Sequence, residues 1–138
     1  MKVFSSNADS MEKLGKEIAQ DMRKGGIIYL QGELGAGKTT LARGIARAFG
    51  ITEPIKSPTY TLVESYKAPS LCIYHLDLYR LQDPEELEYI GIRDYFDEKA
   101  LFLIEWPERG ESSIPPADLV ISIEVLASGR LVSAFRPH

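Results

Sequence analysis

The eight residues Gly32-Glu33-Leu34-Gly35-Ala36-Gly37-Lys38-Thr39 spell G-x-x-x-x-G-K-T, and few motifs restrict a fold so tightly. The glycines let the backbone curl until several N–H groups face one anion. In that geometry Lys38 reaches β- and γ-phosphates and the Thr39 hydroxyl meets Mg²⁺. Such a loop works between a strand and a helix, because the phosphates rest on the helix N-terminus. Both flanks comply. Gly26 to Gln31 reads as a buried strand, and Thr40 to Phe49 reads as a helix with Leu41, Ile45 and Phe49 on one stripe. A chain built around this unit is expected to be an α/β protein.

The remaining segments fit that class. Val3-Phe4 reads as a short edge strand, and Ser6-x-x-Asp9 resembles a capping box. It opens a helix with Met11, Leu14, Ile18 and Met22 on one face, ended by Gly25-Gly26. Lys56-Ser57-Pro58-Thr59 is a loop, since proline turns Ser57 away from helix. Strands follow over Tyr60 to Tyr66 and Leu71 to Leu78, with turn residues at Ala68-Pro69-Ser70. Asp83-Pro84-Glu85-Glu86 starts a short helix that ends near Gly91. Ala100 to Ile104 is wholly apolar, as a parallel strand covered on both faces must be. Leu119 to Leu126 and Arg130 to Phe135, separated by Ser128-Gly129, form a closing hairpin. The expectation is a small P-loop NTPase-like three-layer fold in one domain over 1–138. Its central sheet is mostly parallel, with antiparallel additions.

Bulk properties narrow the function classes. No apolar run approaches the ~18 residues of a membrane span, and no signal-peptide pattern precedes the first strand, so a cytoplasmic protein is expected. A single cysteine, Cys72, excludes an internal disulfide and a cysteine-rich metal site; it reads as core. A net charge of −4 disfavours a direct clamp on a nucleic-acid backbone.

In open α/β sheets ligands sit beyond the carboxyl ends of the strands, so polar residues that terminate apolar strands are candidate metal or water contacts. Glu105 ends Leu101-Phe102-Leu103-Ile104, and Asp77 ends Ile73-Tyr74-His75-Leu76. Either or both can hold Mg²⁺ or orient an attacking water. Thr59 reads as part of a γ-phosphate-sensing switch segment or as a simple proline turn. His75 shares a strand face with Asp77 and reads as a hydrogen-bonded core histidine or as a group that tunes that carboxylate. Trp106 reads as core or as a stacking surface, and Arg130 as a residue that closes over a base or as a solvated arginine. The Asn-Lys-x-Asp segment of guanine readers is absent from the sequence, so ATP is the expected nucleotide. The residues alone leave the phosphate acceptor open. Slow hydrolysis, a small-molecule kinase and a non-catalytic nucleotide-dependent binding module all remain.

Four blocks occur in order: Gly32 to Thr40, Ser57-Pro58-Thr59-Tyr60-Thr61-Leu62, His75-Leu76-Asp77-Leu78-Tyr79-Arg80-Leu81 and Ile104-Glu105-Trp106-Pro107-Glu108-Arg109. Together they resemble the TsaE (YjeE) family, a bacterial ATPase family needed to make threonylcarbamoyladenosine in tRNA. The resemblance runs from about Ser10 to about Arg130. It implies that Leu34, Gly35, Ala36, Gly37, Lys38, Thr39 and Thr40 bind ATP and that Thr39 and Glu105 ligate Mg²⁺. It further implies that Asp77 faces the nucleotide, that Trp106 belongs to a functional surface, and that residues near Ser10 and Arg130 flank the adenine. Lys38, Asp77 and Glu105 would then form the catalytic set. The implied partners are a TsaD-like threonylcarbamoyl transferase and its TsaB-like paralogous subunit, with tRNA contacted indirectly.

Overall fold

A computed structural model of the chain describes residues 1–58 and 62–137. Seven strands make one sheet: β1 (Lys2–Ser5), β2 (Gly26–Gln31), β3 (Val63–Lys67), β4 (Cys72–Asp77), β5 (Ala100–Glu105), β6 (Leu119–Leu126) and β7 (Gly129–Phe135). Their order across the sheet is β1-β7-β6-β2-β5-β4-β3. The central β6, β2, β5 and β4 are parallel, while β7 and β3 pair antiparallel to their inner neighbours and β1 runs antiparallel to β7. The helices are α1 (Ala8–Gln20), α2 (Lys38–Ala48), α3 (Glu85–Tyr89) and α4 (Ile92–Phe96). The expected α/β class and mostly parallel sheet are what is found.

Two apolar layers sandwich the sheet. On one face Met11, Leu14 and Ile18 of α1 and Leu41 and Ile45 of α2 pack on Ile28, Leu30, Ile73, Leu101 and Leu103. On the other, Leu87 of α3 and Ile92 of α4 pack on Tyr74, Leu76, Phe102 and Ile104. Alternation along β5 therefore feeds both layers, which is why its sequence is apolar throughout. The same parity puts His75, Asp77 and Glu105 on the α1–α2 face.

Several local expectations shift. The capping box is Asn7 and Ser10 rather than Ser6 and Asp9. Asn7 is extended (φ −157°, ψ 175°), its Oδ1 accepts from Ser10 N at 2.8 Å, and Ser10 Oγ accepts from Asn7 N at 3.4 Å. The helix after the phosphate loop begins at Lys38, two residues earlier than the apolar stripe indicates, because Gly37 itself is the N-cap. The outer strand of the β3–β4 hairpin runs Val63–Lys67, and residues 60 and 61 of its expected span lie outside the described residues. A second short helix, Ile92–Phe96, follows Gly91, where only an end was expected. Cys72 is half-buried at the start of β4 rather than fully in the core.

Candidate functional site

The register brings three strand ends side by side. Leu30 of β2 pairs with Glu105 of β5, which pairs in turn with Asp77 of β4. The phosphate loop leaves β2 one residue later and enters α2 at Lys38, so it arches over that row of ends. Gly35 (φ 79°) and Gly37 (φ 113°) adopt left-handed backbone that a side chain would strain. A cavity of about 430 Å³ opens there, lined by the loop with Lys38, Thr39, Asp77 and Glu105. Residues distant in sequence thus converge on one cleft.

Lys38 is 5% exposed and already partnered. Its Nζ donates to the Gly32 carbonyl at 2.7 Å, lies 3.6 Å from Glu105 Oε1, and sits 4.3 Å from the centre of the Trp106 ring. Glu105 is 3% exposed, and its Oε2 lies 2.6 Å from Nε2 of the fully buried His75. His75 therefore engages Glu105, not the Asp77 next to it on its own strand. Asp77 accepts from Ser57 Oγ at 3.2 Å through Oδ2 and from Tyr79 N at 3.0 Å through Oδ1.

Placing two carboxylates directly opposite each other across a strand pair is unfavourable unless a cation offsets them. Lys38 meets part of that need. The donor set at the cleft (the Thr39 hydroxyl, the Glu105 and Asp77 carboxylates) is all hard oxygen and suits Mg²⁺, which takes one or two protein ligands beside phosphate and water. Among the described residues no group of three or more His, Cys, Asp or Glu side chains converges as an all-protein metal cage.

A second cavity of about 240 Å³ lies across the loop from the first and shares Gly35, Gly37 and Thr40 with it. Its other wall is Ser5, Ser6, Asn7 and Met11 from the start of the chain and Gly129 and Arg130 from the tail. Arg130 donates from Nε to the Ala36 carbonyl at 3.0 Å and from Nη2 to the Gly35 carbonyl at 3.4 Å. Half-buried on the cavity wall, it braces the loop. Ser10 completes the α1 capping box as the residue that the Asn7 cap engages, while Asn7 and Met11 line the wall. Leu34 is 65% exposed at the loop tip. Thr59 lies outside the described residues. Trp106 stands at φ 55°, its ring against Lys38 and, at 4.9 Å between centres, against Tyr79. Tyr79 and Arg80, which sequence reasoning left out of the site, line the larger cavity; their place two and three residues beyond Asp77 was the available clue.

The family model described as "Threonylcarbamoyl adenosine biosynthesis protein TsaE" matches residues 5–132. The chain belongs to the TsaE family. A Haemophilus influenzae relative named as the TsaE protein of tRNA threonylcarbamoyladenosine biosynthesis is 48% identical over 126 residues, 88% of this chain and 80% of its own. A Bacillus subtilis TsaE is 36% identical, covering 86% of this chain and 73% of that one. A Treponema pallidum TsaE is 37% identical over 94% of this chain and 95% of its own. The crystal structure of Bacillus subtilis YdiB superposes with a TM-score of 0.80 at 29% identity, over 98% of this chain and 83% of that chain. Both cavities lie within the span that the TsaE model matches.

Proposed function

We propose that this TsaE-family chain binds and hydrolyses Mg·ATP, and that the hydrolysis supports repeated turnover of a threonylcarbamoyl-transfer complex acting on tRNA. The observation that carries the reading is the meeting of Lys38, Thr39, Asp77 and Glu105 in one cleft beneath the phosphate loop. Backbone N–H groups of residues 34–39 and the N-terminus of α2 would bind the phosphates. Lys38 would exchange the Gly32 carbonyl and the Trp106 face for phosphate oxygens, keeping its charge compensated throughout. Thr39 and Glu105 would hold Mg²⁺, which supplies neutralisation of charge developing on the β- and γ-phosphate oxygens. Asp77, its two oxygens anchored by Ser57 and Tyr79, would orient water or the ion's hydration shell.

The second cavity would take the nucleoside, with Asn7 and Met11 on one side and Arg130 bracing the loop between. Hydrolysis by the chain alone is expected to be slow: an arginine finger contributes roughly 10³–10⁵ in rate. Of the later arginines, Arg93 lies beside Glu88 at 3.1 Å and Arg109 over the Tyr79 ring at 5.7 Å, while Arg80, which lines the cleft, would be brought onto the transferring phosphoryl group by a partner. A TsaD-like transferase and its TsaB-like subunit would complete the site. The net charge of −4 fits an indirect relation to tRNA.

Radiolabelled ATP turnover tests the reading. Lys38→Ala should abolish nucleotide binding, and Glu105→Gln should keep binding at saturating Mg²⁺ while hydrolysis falls by at least about tenfold. Normal turnover in Glu105→Gln, or equal rates for the isolated chain and the assembled complex, would overturn it. Consumption of ATP that depended on one added metabolite would instead mark a kinase.

A further inference from the structure

The fully buried imidazole of His75 has no part in the reading above, yet its placement is costly. Among the described residues Nδ1 has no hydrogen-bond partner, and it has no contact with solvent; a buried polar atom left unpaired costs about 1–3 kcal/mol. An aliphatic side chain of similar volume, packed beside Ile73 on the same face, would fill the space without that penalty. The imidazole is therefore held for its other nitrogen. Nε2 lies 2.6 Å from Glu105 Oε2; an ionised carboxylate only accepts, so Nε2–H is the donor.

The register explains why these two meet. His75 pairs with Leu103, and Glu105 stands two residues further along β5 on the same face. That is a diagonal cross-strand pair, within reach of long side chains. The contact divides the work between the two carboxylate oxygens. Oε2 is fixed from below by His75, while Oε1 is turned toward Lys38, 3.6 Å away, at the wall of the cleft.

We infer that His75 is a positioning residue: its Nε2–H locks the Glu105 carboxylate so that Oε1 alone is presented to the metal-nucleotide. The inference rests on the assignment of Glu105 to Mg²⁺ made above. Groups that orient a metal-ligating side chain typically contribute 10–100-fold in metal affinity, so the effect belongs in the Mg²⁺ requirement rather than in the grip on phosphate.

The test uses the full chain, a fluorescent ADP analogue, and the emission of Trp106, the chain's one tryptophan. Nucleotide affinity is measured in EDTA and across a Mg²⁺ titration. His75→Leu should leave metal-free affinity within about twofold of the parent and raise the half-saturating Mg²⁺ concentration by about tenfold or more. His75→Gln, whose amide can still donate at similar reach, should restore it to within about threefold. Should His75→Leu fail to fold, His75→Asn, polar but too short to reach, replaces it with the same expected rise. An unchanged Mg²⁺ requirement in the folded Leu or Asn variant overturns the inference, and so does a Gln variant as defective as they are. Glu105→Gln separates the two levels. If it does not itself raise the Mg²⁺ requirement, the metal assignment has failed; if it does and the His75 variants do not, only the role of His75 falls.

Discussion

On the face of β4 opposite His75, the buried Tyr74 reaches out to a second carboxylate, that of the exposed Glu98. Its ring is buried against Phe102 and Tyr95, and its hydroxyl donates to Glu98, 2.9 Å from either oxygen. Burial first, and then the Glu98 carboxylate, push the phenol up from 10.0 to about 12. The folded state thus holds this proton more tightly than the unfolded chain does. Its contribution is complete below pH 10 and is lost as pH rises from 10 to about 12. Tyr29 and Tyr66 are raised as well, chiefly by burial, so all three tyrosines act on the same limb. Urea unfolding across pH 9–12 should show stability falling, with a shallower fall in Tyr74→Phe; parallel limbs would exclude Tyr74 as a contributor. The contrast with His75 shows what a sequence can reveal about single side chains. Lys38 and Thr39 are fixed by a contiguous motif, and Glu105 and Asp77 by their place at the ends of apolar runs. The His75–Glu105 pair depends on the β4–β5 register, which no local pattern states. Sequence proximity pointed instead to Asp77, two residues away.

The α1–α2 contact shows the same limit for packed elements. Both helices are legible from their apolar stripes, but not the closeness of their approach. A Cβ built at Gly44 would lie 2.0 Å from the Glu12 carbonyl oxygen, and one at Gly15 would lie 2.4 Å from the Leu41 carbonyl oxygen. The obstacles are helix backbone on both sides, so neither can yield without moving a helix. Two effects oppose each other in Gly44→Ala. Alanine is the better helix former by about 1 kcal/mol, whereas overpacking typically costs about 1–3 kcal/mol and more where backbone must shift. At a 2.0 Å approach packing wins. Gly44→Ala is expected to lower the melting temperature by several degrees, at roughly 2–6 °C per kcal/mol for a domain of this size. An unchanged or raised melting temperature would show that the helices can separate freely. The sequence also concealed α4, because five residues are too few for a periodic signal. Gly91 (φ 72°), read as a helix end, is both the end of one helix and the cap of the next.

Taken together, the elements make the phosphate loop a partition between two cavities, the smaller of which takes its outer wall from both ends of the chain. β1 pairs with β7, and the N-terminal amine donates to the Ala134 carbonyl at 3.1 Å. Residues 5–11 and 129–130 thereby form one wall, joined to the loop through Arg130. A ligand filling both cavities would tie this sheet edge to the central strands, whereas one filling only the deeper cleft would not. Ligand that binds only the folded state stabilises it by about 2.7 kcal/mol at a hundredfold excess over its Kd. ATP with Mg²⁺ should therefore raise the melting temperature by several degrees, and inorganic tripolyphosphate at equal concentration by clearly less. Lys38→Ala should lose both shifts. Arg130→Ala, which removes the brace on Gly35 and Ala36, should bring the ATP shift down toward that of tripolyphosphate. Differential scanning fluorimetry on the three proteins decides the matter. Equal shifts from ATP and tripolyphosphate in the parent chain would mean that the smaller cavity takes no part of the nucleotide, leaving Arg130 a brace for the empty loop alone.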